Sequence, residues 1–589
     1  MSSKGVLDEK VEVEGGEYFR IMKYFDRRWV FGIALFFSFC TGAMPMVMNV
    51  LMGNMATIMT TSDNFIDAVV KLIIKMVIYI CCFIVVFLIQ HFIAGYSNPF
   101  FISDIRKHLY KKLMELDISF FDQNETGMLL SRFTSDCATL NEIYITKFVQ
   151  AFQNCVQAVA GIILSFVLSW RVTLAVFIAY PLCGFVYWFG QTKITKLWRD
   201  YNQSTANAGT KAEQVINAFR TVKSFDNEMY EADLYRESLG TIQKVFNRAS
   251  IVQGIEDGTI HIIIHAMIVS FLYFSCWIII RRPNWGMENG DLMSLMMSLI
   301  FSALGISATL ALVEDFDRAQ VSAAKILKIL EEPVEINQRE GQEPNEPVKG
   351  KVEFKNVCFK YKGRAEYAVK DLNFTINPGE TVALIGESGC GKSTTLQLLQ
   401  RFYEIESGEI LVDGVDIRKW SPKYLRKNIS IVPQGPVLFT MSIKDNIRYA
   451  VPDASDKDIA DAAQTGNAHP FIMTFPENYN THKLNHHHSP VVRRQRICIS
   501  RAILVGAPIL LLDEATAALD TESEKLVQQS LEVARKGKTA IVVAHRLATV
   551  INADRIFVFK EGHIVEEGKH DELMAKNGIY ADLVRFQLQ

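Results

Sequence analysis

Apolar residues come in long runs in the first part of the chain and in short ones after about residue 350. Six runs, 30–52, 68–96, 146–169, 172–193, 258–280 and 292–313, reach the length of about 20 residues that a bilayer crossing needs. The connections after the first, third and fifth runs are short, whereas 97–145 and 194–257 are long, basic and helix-patterned. That asymmetry predicts helices that continue out of the membrane on one side. Arg20, Lys23, Arg27 and Arg28 precede the first run, and clustered positive charge predicts that this side is cytosolic. Within the first long connection, Phe120-Phe121-Asp122 followed by Glu125-Thr126-Gly127 has helix-break chemistry and predicts a short cross-helix at the loop tip. From Lys351 onward, strand-like and helix-like patterns alternate, as they do in α/β domains. The intervening 331–349 is rich in proline and charge and reads as a surface linker.

Composition bounds this picture. A chain of 589 residues exceeds what one core organises, so several domains are expected. The net charge of -2 carries no electrostatic footprint for nucleic acid, and none is expected as a partner. Ten cysteines without a Cys-x-x-Cys predict neither a zinc site nor a disulfide framework. Met1–Glu17 is acidic and lacks an apolar core, so no cleaved secretory signal or mitochondrial presequence is expected. Asp257, His261 and His265 fall on one helical face at the fifth run. They form either a polar stripe on a substrate path or a headgroup-zone acid with neutral histidines. Methionines gather at Met44–Met52 and at Met293–Met297, where they pack or line a cavity for varied apolar ligands.

The sharpest chemistry lies at Gly386-Glu387-Ser388-Gly389-Cys390-Gly391-Lys392-Ser393-Thr394, between an apolar strand and a helix. Glycines let backbone N–H groups turn inward around phosphate oxygens, and the helix start adds a positive field. Lys392 is expected to reach the β- and γ-phosphates of ATP, and the Ser393 hydroxyl to ligate Mg²⁺. A second apolar strand ends in Asp513-Glu514. Asp513 is placed to hold Mg²⁺ and Glu514 to polarise the attacking water. A third ends at His545, which can contact the γ-phosphate. Cys390 is either a thiol whose alkylation blocks the loop or a small residue that fits it.

Together these residues resemble the ATP-binding-cassette exporters, specifically half-transporters of the multidrug-resistance (P-glycoprotein-like) subfamily, over nearly the whole chain. The resemblance implies that Tyr361 stacks on adenine, that Gln434 senses Mg²⁺ and contacts the membrane half, and that Glu514 and His545 are catalytic. It implies that Ala518-Leu519-Asp520 crosses a dimer and that 120–127 is a coupling segment. The implied fold is six transmembrane α-helices with long cytosolic extensions plus an α/β P-loop nucleotide-binding domain. Its expected bounds are a cytosolic segment 1–29, a membrane domain 30–330, a linker 331–350 and a nucleotide-binding domain 351–589. The implied activity is ATP-driven export of an amphipathic or lipophilic substrate (xenobiotic, lipid or peptide) across a membrane, most simply the plasma membrane. A second half-transporter is the implied partner.

One motif departs from that family. Where its signature loop reads Leu-Ser-Gly-Gly-Gln, this chain has Ser489-Pro490-Val491-Val492-Arg493, preceded by His486-His487-His488. Two β-branched valines do not offer the close backbone approach of glycine. Three readings stand. The chain is a degenerate subunit that needs an intact partner, or it binds ATP and barely turns it over, or its reading frame is locally shifted. The codons CTC TCC GGT GGT CAG, read one nucleotide later, spell Ser-Pro-Val-Val-Arg, so the frame shift accounts for all the replaced residues at once.

Overall fold

The computed structural model describes residues 16–61, 65–177, 179–281, 288–338, 340–482, 491–514, 521–544 and 550–588. The chain divides into two compact units. One combines His108–Arg132 with the residues from Ile326 onward, and the other combines the described residues up to Lys107 with Phe133–Lys325.

The second of these units is helical. Among the described residues, five helical stretches have the length and apolar composition to cross a membrane: Arg28–Met59, Ile66–Glu115, Thr126–Phe177, Glu228–Arg281 and Asn289–Leu330. The expected fourth span, 172–193, is not one of them. Its residues are shared between the end of helix Thr146–Phe177 and the start of helix Ala179–Asn217, and the helix is interrupted by extended backbone at Ser169. Helices come close where side chains are small. A Cβ on Gly53 would meet the Ser294 hydroxyl at 1.8 Å, and one on Gly161 would meet the Ser298 carbonyl at 2.8 Å. Lipid tails give no hydrophobic drive for helix association, so such close backbone approach and shared hydrogen bonds do the joining. The Thr41 hydroxyl donates to Gln90 at 2.5 Å, and Gln90 donates on to Gln153 at 2.8 Å. Large apolar side chains such as Val167, Ile262 and Ile280 stay exposed along these helices.

Asp257, His261 and His265 are exposed on Glu228–Arg281, with His265 Nδ1 2.7 Å from the His261 carbonyl. Among the described residues of that helix, the buried acid is instead Glu256, 6 % exposed and packed against Gly190.

The other unit contains two sheets. The first is antiparallel, in the order β2-β1-β4-β5, with β1 Val352–Phe359, β2 Val369–Ile376, β4 Ser407–Val412 and β5 Val415–Asp416. The second runs β10-β9-β3-β8-β7-β6, formed by β3 Thr381–Gly386, β6 Ile429–Val432, β7 Ile509–Asp513, β8 Thr539–Val543, β9 Arg555–Lys560 and β10 His563–Gly568. Strands β9, β3, β8, β7 and β6 pair in parallel, and β10 pairs antiparallel to β9. A parallel sheet is covered on both faces, which explains why its strands are mostly apolar. Val382, Leu384, Ile509 and Leu511 face a core shared with the antiparallel sheet, and Ala383, Ile385, Leu510 and Leu512 face helices on the other side. A third core, around Ile443, Ile459 and Phe471, belongs to a helical lobe.

The expected cross-helix is present as Ile118–Gln123, followed by a second short helix at Thr126–Ser131. It packs into the unit that carries the two sheets, with Phe120 buried and the Tyr403 hydroxyl donating to the Asp122 carboxylate.

Candidate functional site

The parallel strands end on one edge, and in such sheets ligands sit beyond the carboxyl ends of the strands. Strand β3 ends at Gly386, β7 at Asp513, and β6 two residues before Gln434.

After β3 the backbone takes positive φ at Gly386 (146°), Gly389 (83°) and Gly391 (104°) before the helix Lys392–Leu399 begins. A Cβ at Gly386 would lie 2.3 Å from the Phe559 carbonyl, and one at Gly391 would lie 2.5 Å from that of Ala368. Only glycine fits either place, so the loop forms a tight cradle that any side chain there would fill. Glu387, Ser388 and Gly389 are exposed at its rim, while Cys390 is buried at 6 %. A buried thiol is shielded from alkylating reagents, which weighs against the reactive-thiol reading.

Lys392 folds into the cradle. It is 5 % exposed, and its ammonium donates to the carbonyls of Gly386 at 2.9 Å and Glu387 at 2.7 Å. A buried ammonium needs acceptors, and these carbonyls supply them. Next to it, the Ser393 hydroxyl donates to Asp513 Oδ1 at 2.9 Å. A hydroxyl and a carboxylate side by side are hard oxygen donors of the kind Mg²⁺ selects, so this pair fits that ion.

Glu514 follows Asp513 with a φ of 47°, its amide held by the Val543 carbonyl at 3.1 Å. Its carboxylate accepts a hydrogen bond from the Gln434 amide at 2.6 Å. The sequence places Gln434 and Glu514 80 residues apart, and the β6–β7 pairing brings their strand ends together.

Tyr361 lies beside the helix Lys392–Leu399. Its hydroxyl lies 3.0 Å from the Thr394 hydroxyl and donates to Gln397 at 2.9 Å, while its ring packs edge-on against Phe359 and Tyr403. Burial pushes the Tyr361 hydroxyl's pKa up. The Arg364 guanidinium lies over the ring, 5.5 Å from its centre. The sequence reading passed over Tyr403, whose place beside Phe359 and Tyr361 depends on the fold.

His545, Ala518-Leu519-Asp520, His486–His488 and the signature positions Ser489 and Pro490 lie outside the described residues. Val491 opens the helix Val491–Val505, and Arg493 on its first turn stacks over Phe471 at 5.8 Å and Phe475 at 5.6 Å. That side chain is therefore committed to the helical lobe. Among the described residues, no cluster of three or more His, Cys, Asp or Glu has the arrangement of a metal site.

Comparison with known proteins gives this edge a context. Residues 31–304 match the model of the ABC transporter transmembrane region, and 369–517 match the ABC transporter model. The chain is 33 % identical over 490 residues to the ATP-dependent lipid A-core flippase of Haemophilus influenzae, covering 82 % of each protein. It is 36 % identical over 492 residues to ABC transporter B family member 2 of Dictyostelium discoideum. It is also 36 % identical over 502 residues to multidrug resistance protein homolog 65 of Drosophila melanogaster. In both of these comparisons 82 % of the chain is covered, and it spans 35 % and 38 % of the two relatives' own lengths. A membrane-spanning helical region, a nucleotide-binding α/β domain and these relationships together make the chain a member of the ABC transporter family, of the B-subfamily exporter type.

Proposed function

We propose that the chain is an ATP-driven exporter of amphipathic or lipophilic molecules, working as a dimer of membrane and nucleotide-binding domains. The observation that carries this reading is the pair of contacts at the carboxyl ends of the parallel strands, Ser393–Asp513 at 2.9 Å and Gln434–Glu514 at 2.6 Å. They bring a candidate metal pair and a candidate base to the mouth of the phosphate cradle. When ATP enters, Lys392 exchanges the Gly386 and Glu387 carbonyls for β- and γ-phosphate oxygens, and the loop amides close around the same phosphates. Tyr361 stacks on the adenine once Arg364 swings aside. Ser393, Asp513 and Gln434 would hold Mg²⁺, which supplies positive charge to the transferring phosphoryl group. Glu514, released from Gln434, orients a water for in-line attack and accepts its proton, with His545 on the γ-phosphate.

Six spans are assigned, with the fourth at 172–193, and the amino terminus and nucleotide-binding domain face the cytosol. The domain bounds 1–29, 30–330, 331–350 and 351–589 are part of the same reading, as is the plasma membrane. Of the relatives named above, one is a lipid A-core flippase and another a multidrug resistance protein homolog, which supports an amphipathic substrate class. A second subunit supplies the facing signature loop. Purified chain in lipid vesicles should show ATP turnover that amphipathic compounds raise, and turnover indifferent to every such compound would count against export.

A second reading starts from the altered signature loop. Arg493, in place of the signature glutamine, is stacked on Phe471 and Phe475, which commits it to the helical lobe. The chain then serves as the ATP-binding, catalytically degenerate subunit of a heterodimer. In that case turnover appears only when a partner with Leu-Ser-Gly-Gly-Gln is present.

A further inference from the structure

The segment that reads as a linker is fastened down rather than loose. The Glu335 and Ile336 amides donate to the two carboxylate oxygens of Asp117, at 2.8 and 3.3 Å. Gln342 exchanges backbone hydrogen bonds with Lys419 and Ser421 at 2.8 and 3.1 Å. Asp413 gathers the amides of Lys349, Gly350 and Lys351 at 2.7, 3.1 and 2.8 Å. The stretch is a strap.

Asp117 is the fastening that comes from far away in sequence. It directly precedes the cross-helix Ile118–Gln123, is 7 % exposed, and lies under Ile336, which is 2 % exposed. Burial raises the carboxyl's pKa, and the two amide hydrogen bonds oppose that shift. A buried carboxylate with two backbone donors is held more firmly than a surface ion pair, because each bond is charge-assisted and screened from water. Beyond this clasp, the Glu335 side chain pairs with Lys362. Lys362 neighbours Tyr361, whose hydroxyl meets Thr394 in the first turn of the helix that follows the phosphate loop.

We propose that Asp117 is a positioning residue for the base side of the nucleotide site, fixing the strap and, through Glu335 and Lys362, the loop that carries Tyr361. The proposal rests on the reading of Gly386–Ser393 as an ATP site. It makes a selective prediction. Loosening the strap weakens the grip on a nucleobase and leaves the grip on a bare polyphosphate unchanged.

The test uses the full chain in lipid nanodiscs, as wild type, Asp117→Ala, Asp117→Asn and Lys362→Ala. Hydrogen exchange is read at the Glu335 and Ile336 amides, and equilibrium binding is read for ATP and for inorganic tripolyphosphate. Asp117→Ala should speed exchange at both amides at least about tenfold, the factor a charge-assisted hydrogen bond is worth. It should raise the ATP Kd several-fold and leave the tripolyphosphate Kd unchanged. Asp117→Asn, which keeps the shape and one acceptor, should give a smaller change of the same kind and carries the test if the alanine variant does not fold. Lys362→Ala, at an exposed site, should raise the ATP Kd without altering exchange. Unchanged exchange in both Asp117 variants overturns the clasp. Equal loss of ATP and tripolyphosphate affinity overturns the positioning role. A wild-type chain that binds neither ligand overturns the underlying ATP reading, and that failure is visible before any substitution is made.

Discussion

At the scale of single residues, the candidate site is a set of polar groups that satisfy one another until a ligand takes their place. Lys392 rests on the Gly386 and Glu387 carbonyls, and Glu514 accepts the Gln434 amide. Under the proposed mechanism, Glu514→Gln keeps the shape but cannot accept a proton. It should still bind ATP while turnover falls at least about a hundredfold, the span general-base catalysis usually covers. Equilibrium ATP binding alongside phosphate release checks this, and parental turnover would remove Glu514 from the role. Gly391→Ala addresses the cradle itself. At φ 104°, with the Ala368 carbonyl 2.5 Å from the new Cβ, the loop must shift, at a strain of about 1–3 kcal/mol. Thermal unfolding of the nucleotide-binding domain should move down and ATP affinity should drop together. Gly386, Lys392, Ser393, Asp513, Glu514 and Gln434 were all legible as a motif set in the sequence. Their partners were not. Tyr403 and the carbonyls of Phe559 and Ala368 become part of the site only when distant segments meet.

At the scale of elements, the alternation of apolar strands and helices marks the α/β domain clearly, because strands buried on both faces are made mostly of apolar residues. The helical unit was harder to read at one place. Extended backbone at Ser169 breaks the helix between the expected third and fourth spans, and the latter is shared between two helices. Hydropathy cannot locate such a break inside an apolar stretch, since the backbone conformation changes while the side-chain character does not. Strand β1 offers a pH test. Glu353 is hydrogen-bonded by Lys351 and then by Lys355, which holds its carboxyl below the ordinary glutamate range. The folded state therefore releases this proton more readily than the unfolded chain. Its contribution to stability is present above the unfolded pKa of about 4.3 and is lost as pH falls through the lower folded value. Glu353→Gln should flatten the decline of the domain's thermal midpoint below that pH, and an unchanged acid limb would show that the lysines do not act on it.

At the scale of the whole molecule, the open issue is whether one chain can supply everything the site requires. Arg493 stacks on Phe471 and Phe475, and the valines before it lie where the family has glycines. Restoring the family loop by Ser489→Leu, Pro490→Ser, Val491→Gly, Val492→Gly and Arg493→Gln together should raise the ATP turnover of the chain purified alone about a hundredfold. That is the scale of effect when backbone donors at developing charge are regained. Equal turnover before and after would show that the altered loop is not limiting. The sequence by itself determined the division into a membrane half and a nucleotide-binding half. It also determined the family and the cluster of phosphate and acid motifs, because apolar length, strand burial and glycine-lined turns are written locally. Only the tertiary structure decided that the linker is a strap and that Asp117 holds it. The residues that make this joint stand 218 positions apart, and their hydrogen bonds run from a side chain to backbone amides, which every sequence carries alike. A linker's composition records that it avoids a core, whereas its rigidity depends on which distant carboxylate the fold brings beneath it.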